Sequence, residues 1–550
     1  MCRPHLKQKA TEGKKVKRRI SRVLSVLLVL CTVLTMISLG FVGASAAGSP
    51  IPVVYIEGSG ATIFADTNDI NSERLNSGDP IPEGMVNEII SQLAKPLLDA
   101  YLKNDFTDYC DKLVELFEPY YSRMALDENG EPSNGAGNKC EQWIPTRDTY
   151  SGGYSVFDYR FVYDWRLDPF FTADQLNVFI NRVKEITGSG KVNIVCRCLG
   201  VNIFLAYVAQ YGSDSINKCI MYAGGLRGFE YCGALFSGQV EVDSDSLERY
   251  VNSSMTGDDE TQRILKAVVQ VANTSFMLKW GVKEIMDFYE KIYENVIPRL
   301  LRESHGSFPS YWSMVPVEYY DAAKELNFGK EPEKYAGMIE KCDRYHNEVA
   351  MHVDDLINGM LENGVEVYNV AKYGFQHMPI NRGSEYQSDN TVGLISSSDG
   401  ATVSEMTKKL SDSYIKAAEE KGTSKYISVD RCVDASTCLL PDHTWFIKNL
   451  EHDNMPRCME YNLFTTIFNS SDYMTVFDDP AHPQYMIFNR DSRSISPLTA
   501  ENCTTDEEKK LQSDYTGSTE LLLNKLISAI RNIVDIIKNF IMSIVGAAKN

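Results

Sequence analysis

The sequence predicts an α/β fold: a mostly parallel sheet with helices on both faces and a helical cap inserted into it. Three observations lead there. Short apolar runs rich in β-branched residues recur at 51–56, 192–196, 216–222 and 364–374, as strands buried on both faces do. Segments with helical apolar spacing separate several of them, which is the alternation of a parallel sheet and its crossovers. That alternation breaks once, over 226–362, where the chain is long, aromatic and mostly helical.

Taken in order, "IPVVYI" (51–56) reads as a buried strand emptying into the glycine-rich turn "EGSGATIF". Residues 83–118 carry helical spacing, and the Gly/Asn/Pro-rich stretch after them reads as a loop. A strand is expected over Ser155–Trp165, a helix over Ala173–Thr187, and a strand over Val192–Cys196 that turns sharply into an apolar helix ending at Gly212. "INKCIMYAGG" is the next strand, Gly364–Gly374 returns to strand after the cap, and Thr444–Leu450 reads as the last one. The expected organisation is a signal peptide at 1–46, a first core part at 47–225 with a lid region at about 65–150, the cap at 226–362, and a second core part at 363–510. A C-terminal amphipathic helix at 518–548 completes it.

The signal peptide rests on nine Lys and Arg residues before the apolar run Val23–Val42 and the small-residue site Ala44-Ser45-Ala46. Its rival is an uncleaved anchor, because the run is about long enough to cross a bilayer. Cleavage after Ala46 would deepen the net charge from −19 to −27, since nine basic residues and one acidic one leave. Such a chain does not attract nucleic acid. The expected location is secreted or at the extracytoplasmic cell surface. Cys2 and Cys31 would leave with the signal, so eleven of the 13 cysteines remain and at least one stays unpaired. No Cys pair has zinc-site spacing, and neither metal nor cofactor is expected. In the tail, Leu522, Leu526, Ile530, Ile533, Ile537 and Ile541 form a stripe interrupted by Lys525, Arg531 and Lys538. This suits a helix lying on a membrane surface, in a partner groove, or on the parent domain.

Cys196-Arg197-Cys198-Leu199-Gly200 sits at the turn after the third strand. A strand–turn–helix elbow holds a nucleophile in a strained conformation and needs small residues two before and two after it. Gly200 and Cys196 meet that need and put Cys198 at the tip, with the Leu199 N–H at a helix N-terminus. Such an end stabilises an oxyanion and favours thiolate. The competing reading is an inert buried cysteine.

"FVYDWRLDP" (161–169) resembles the tyrosine-aspartate-tryptophan-arginine strand end of the lecithin:cholesterol acyltransferase family of α/β-hydrolases. "PVVYIEGSGATIF" resembles that family's opening strand and oxyanion loop, "GSFPSYWSMVP" (306–316) its proline-serine-tryptophan cap segment, and "SDNTV" (388–392) its acid-bearing loop. The similarity spans about 51–470. It implies an α/β-hydrolase acting on lipid or other ester substrates. It also implies a disulfide-closed lid, where Cys110 and Cys140 flank the lid region. Cys432 and Cys438 could separately close a short loop. The family's elbow is glycine-histidine-serine-leucine-glycine. This chain keeps Leu199 and Gly200 and places Cys198 where the serine stands.

Triads of this kind run nucleophile, acid, base along the chain. The resemblance carries the acid onto Asp389, with Asp399 in "SSDGATV" as the competitor. His452 follows the Thr444–Leu450 strand and is the expected base, with His443 the alternate. The Leu199 N–H and one from the 58–60 turn, with Ser59 favoured, would form the oxyanion hole. Two other classes compete with an acyl-transfer enzyme: a catalytically silent binder of lipid or glycan, and a surface interaction protein working through its tail.

Overall fold

The computed structural model describes residues 51–503 except 68, 70, 77–91, 94, 98, 139–158, 255–276 and 454–459. The signal segment, the 518–548 helix and parts of the lid region lie outside the described residues. The chain runs through β1 (Val53–Ile56), α1 (Thr107–Tyr121), β2 (Tyr159–Phe161), α2 (Pro169–Thr187), β3 (Val192–Arg197), α3 (Leu199–Tyr211) and β4 (Ile216–Tyr222). The 226–362 segment supplies α4 (Glu230–Ser237), α5 (Ser244–Ser254), α6 (Met277–Arg302), α7 (Val317–Phe328), α8 (Ala336–Glu348) and α9 (Val353–Glu362). Then come β5 (Glu366–Tyr373), α10 (Asp412–Lys421), β6 (Thr444–Lys448), α11 (Glu460–Asn469), β7 (Tyr485–Asn489) and β8 (Ser494–Pro497).

These strands form one eight-stranded sheet in the order β8-β7-β6-β5-β4-β3-β1-β2. All pairings are parallel except that of β7 with β8. Strands β1, β3 and β6 are buried almost throughout, because alternate residues enter different cores. Val54, Ile56, Ile194 and Cys196 pack with Phe179 of α2 and Ile203 of α3. Val53, Tyr55, Val195 and Ile220 pack with Leu463, Phe464 and Ile467 of α11. Cap residues Phe308, Trp312, Tyr320 and Met338 belong to the first of these cores.

Local signals set the element ends. Asp168 caps α2 by accepting from the N–H groups of Phe170 (3.1 Å) and Phe171 (3.4 Å), with Pro169 in the first turn and Gly188 at φ 70° closing it. β1 lies between β2 and β3, so the chain moves outward first and then returns to the other side. The carboxyl ends of β1 and β3 therefore face a crevice where the winding reverses, the place where open parallel sheets put their sites.

Three expectations are corrected. The strand expected over Ser155–Trp165 is ordered as a strand only at Tyr159–Phe161 among the described residues. Tyr163 and Trp165 leave it because their side chains bind the loop after β1, Tyr163 Oη donating to the Glu57 carbonyl (2.7 Å) and Trp165 Nε1 to that of Ala61 (2.8 Å). Thr444–Leu450 is not the last strand, since β7 and β8 extend the sheet beyond it. Cys432 and Cys438 are both free and buried rather than bridged, and burial pushes each thiol up to about 12. Cys110 is also free, and Cys140 lies outside the described residues.

Candidate active site

Four loops meet at the carboxyl edge of the sheet: those after β1, β3, β5 and β6. Cys198 sits at the β3–α3 turn with φ 52° and ψ −128°. A side chain held at positive φ costs about 1–3 kcal/mol and persists only where the surroundings impose it. Here they do. A Cβ on Gly200 would stand 2.6 Å from the Ile56 carbonyl oxygen and 2.7 Å from that of Glu57, so only glycine lets α3 start this close to β1. Gly58 is equally constrained from the other side, since a Cβ there would lie 2.8 Å from the Cys198 Cβ. The thiol itself is partly buried.

After β5, Phe375–Gln376 and Gln387–Ser388 pair as a short antiparallel ribbon that delivers Asp389. Its Oδ1 accepts from the N–H groups of Thr391 (2.9 Å) and Val392 (2.7 Å), an Asx-type turn that fixes the carboxylate. Its Oδ2 accepts from Nδ1 of His452 at 2.7 Å, and the His452 N–H donates to the Asp389 carbonyl at 2.8 Å. Both residues are buried, Asp389 at 1 % exposure and His452 at 4 %. With Nδ1 committed to the carboxylate, Nε2 is the free end of the ring. It is buried and makes no hydrogen bond, and its charge and that of the Cys198 thiol act on each other.

The electrostatics follow from that arrangement. Burial alone would raise the Cys198 pKa. The charge of His452, the charge of Arg197 and the Leu199 N–H outweigh it and bring the thiol below its ordinary value. Burial would lower His452, but Asp389 and Cys198 overcome it and push the imidazole up to about 10. Burial likewise opposes ionisation of Asp389, and His452, the Val392 N–H and Lys372 reverse it, holding the carboxyl low. The three shifts favour a thiolate, an imidazolium and a carboxylate together.

Of the residues singled out by sequence, Cys198, Asp389 and His452 are brought together, and the Leu199 N–H helps hold the Cys198 thiol low. Ser59 lies beside the site on the loop after β1, where its side chain favours ionisation of Tyr311 against the opposing effect of burial. The alternates lie elsewhere. Asp399 pairs with Arg227 Nε at 2.6 Å. His443 offers Nδ1 to the Met474 carbonyl (2.9 Å) and stacks on Tyr473 with centroids 3.6 Å apart.

Several side chains to which sequence reasoning gave no role also shape the site. Arg166, fully buried, binds Asp164 through Nε (2.9 Å) and Nη2 (2.7 Å), and donates to the carbonyls of Met124 (2.7 Å) and Ala136 (2.9 Å). With Tyr163 and Trp165 it ties the loop after β1 to the lid. Ser310 Oγ donates to the Trp165 carbonyl (2.5 Å), which joins the cap segment to the same unit. A second buried imidazole, His377, faces Glu230 at 3.4 Å, and Glu230 Oε2 accepts from the Gly393 N–H (3.2 Å) at the end of the acid loop. The Tyr163-Asp164-Trp165-Arg166 stretch, already picked out by its resemblance, was the available signal for the first group. No sequence pattern marks the second.

Among the described residues no group of three potential donors could hold a metal ion, and no helix is long and apolar enough to cross a membrane. By sequence, the chain matches no protein-family model and no curated protein.

Proposed function

We propose that the protein is an exported acyl-transfer enzyme of α/β-hydrolase type, of the lipase, phospholipase or O-acyltransferase kind, using a Cys198-His452-Asp389 triad on lipid or other ester substrates. The observation that carries this is the strained Cys198 at a strand–helix elbow, facing an imidazole whose far nitrogen is held 2.7 Å from a buried carboxylate. Nucleophile after β3, acid after β5 and base after β6 reproduce the nucleophile-acid-base order of that fold, around a sheet that reverses its winding beside the nucleophile.

The Cys198 thiolate attacks the ester carbonyl carbon, forming a C–S bond as the carbonyl π pair moves to oxygen. The Leu199 N–H and an N–H of the 58–60 turn stabilise that oxyanion. As it collapses, the C–O bond to the leaving alkoxide breaks and the His452 imidazolium protonates it, leaving a thioacyl enzyme and an alcohol. Water or a second alcohol then attacks the thioester while His452 takes its proton, and Cys198 leaves as thiolate. Asp389 holds the imidazole tautomer throughout.

The test is iodoacetamide labelling and turnover on a panel of esters and thioesters, comparing wild type with Cys198→Ala. Cys198-dependent labelling and turnover are expected. Full activity in Cys198→Ala refutes the triad, and absence of both in wild type favours a silent binder. Membrane contact through 518–548 is part of the same proposal: deletion after Gly517 is expected to reduce liposome binding and leave thermal unfolding near wild type.

A further inference from the structure

Two cations that the reaction scheme leaves idle converge on one atom of the triad. Arg197, the residue before the nucleophile, donates from Nη2 to the His452 carbonyl at 2.7 Å. Lys372, near the end of β5 and fully buried, donates from Nζ to the same oxygen at 3.1 Å and to the Glu451 carbonyl at 3.2 Å. We propose that Arg197 and Lys372 are positioning residues that clamp the base-bearing loop, and that Arg197 also holds the nucleophile as a thiolate. This rests on the triad reading above.

The geometry supports both parts. A carbonyl is a neutral acceptor, so it does not balance two nearby cations. Burying Lys372 and most of Arg197 is compensated by the anions around them. Asp453 lies 3.5 Å from Arg197, but it is 95 % exposed and screened. Asp389 lies within the field of Lys372, and the Cys198 thiol within that of Arg197. Lys372 also lies 4.4 Å from the centre of the Tyr222 ring.

Other groups facing Cys198 do not supply this charge. Besides His452, they are Tyr163, Tyr231 and Tyr311 from the β2 end and the cap, and Cys232 of α4. Burial keeps all four protonated. Tyr55 and Tyr222 face Arg197 from β1 and β4. Among the described residues, Arg197 is a permanent cation whose charge acts on the nucleophile. An arginine there suits a thiol, which reacts as the anion, more than a hydroxyl, which does not.

The experiment is the pH dependence of Cys198 alkylation by iodoacetamide, read by peptide mass spectrometry on the full chain, with kcat and KM measured in parallel. The wild-type midpoint is expected below the ordinary thiol value of about 8.5. Arg197→Gln is expected to raise it by about one pH unit or more. Arg197→Lys is expected to keep the midpoint near wild type while lowering kcat at unchanged KM, because charge remains but the Nη2 hydrogen bond that holds the His452 carbonyl is lost. A midpoint unmoved in folded Arg197→Gln, or moved equally by both substitutions, overturns the inference while leaving the triad standing. A wild-type Cys198 that titrates as an ordinary thiol overturns the triad reading itself.

Discussion

His452 and Asp389 are joined twice, through Nδ1 to Oδ2 at 2.7 Å and through the His452 N–H to the Asp389 carbonyl at 2.8 Å. The two loops are separated by 63 residues, and this double link sets both where the imidazole lies and which nitrogen it turns toward Cys198. A surface histidine pairing by chance with an acid would not also share its main chain.

Replacing Asp389 by Asn keeps the shape and removes the charge that selects the tautomer. Turnover is expected to fall by about 10⁴-fold, the scale seen when a triad acid is neutralised. The Thr391 and Val392 N–H groups keep an oxygen acceptor in Asp389→Asn and lose it in Asp389→Ala. The alanine variant should therefore unfold at lower temperature as well, which differential scanning calorimetry checks.

Gly200→Ala forces a methyl within 2.6 Å of the Ile56 carbonyl oxygen. Backbone on both sides leaves it no room, so stability should drop by about 1–3 kcal/mol and the elbow should open. Denaturant unfolding measures the first effect and loss of Cys198 labelling the second.

The alternates offer a contrasting test. Burial raises the Asp399 carboxyl from 3.8 to about 6, with Arg227 opposing it. A carboxyl raised on folding holds its proton more tightly in the folded state, so its favourable contribution is complete below the unfolded value and is lost as pH rises through about 6. Asp399→Asn should therefore be more stable than wild type at pH 7 and close to it near pH 3. The φ of 59° at this position suits Asn as well as Asp. Turnover should be unchanged in this variant and in His443→Ala. Thermal melts at the two pH values and one activity assay decide it.

Arg166→Met removes a guanidinium that satisfies Asp164 and two carbonyls at once. Leaving that carboxylate without its partner is expected to cost about 3–5 kcal/mol. Urea unfolding reads the loss.

Much of this was legible in the sequence, for identifiable reasons. Val192–Arg197 declared itself because a strand buried on both faces tolerates few polar residues, and Gly200 because the turn after it admits no side chain. His452 could be placed by chain order, which a sheet of this winding imposes, and Asp389 by the resemblance of "SDNTV" to an acid-bearing loop. Other features left no such trace. Lys372 stands in a strand that reads as apolar, and its contact with His452 spans 80 residues. Arg197 occupies a position whose side chain periodicity does not predict. β7 is only five residues long, and β8 lies at the sheet edge with every residue half-buried, where one-sided packing weakens the apolar signal. Cys432 and Cys438 are close in sequence, but burial as separate thiols is a matter of direction, which spacing does not encode.

The most direct measurement is to trap the acyl enzyme. The protein is mixed with a p-nitrophenyl ester, quenched in acid and digested, and the peptide carrying Cys198 is weighed. A burst of p-nitrophenol matching the protein concentration, with the acyl mass on Cys198 and neither in Cys198→Ala, is the expected result. Turnover without an adduct on Cys198, or an equal burst from Cys198→Ala, would contradict the account.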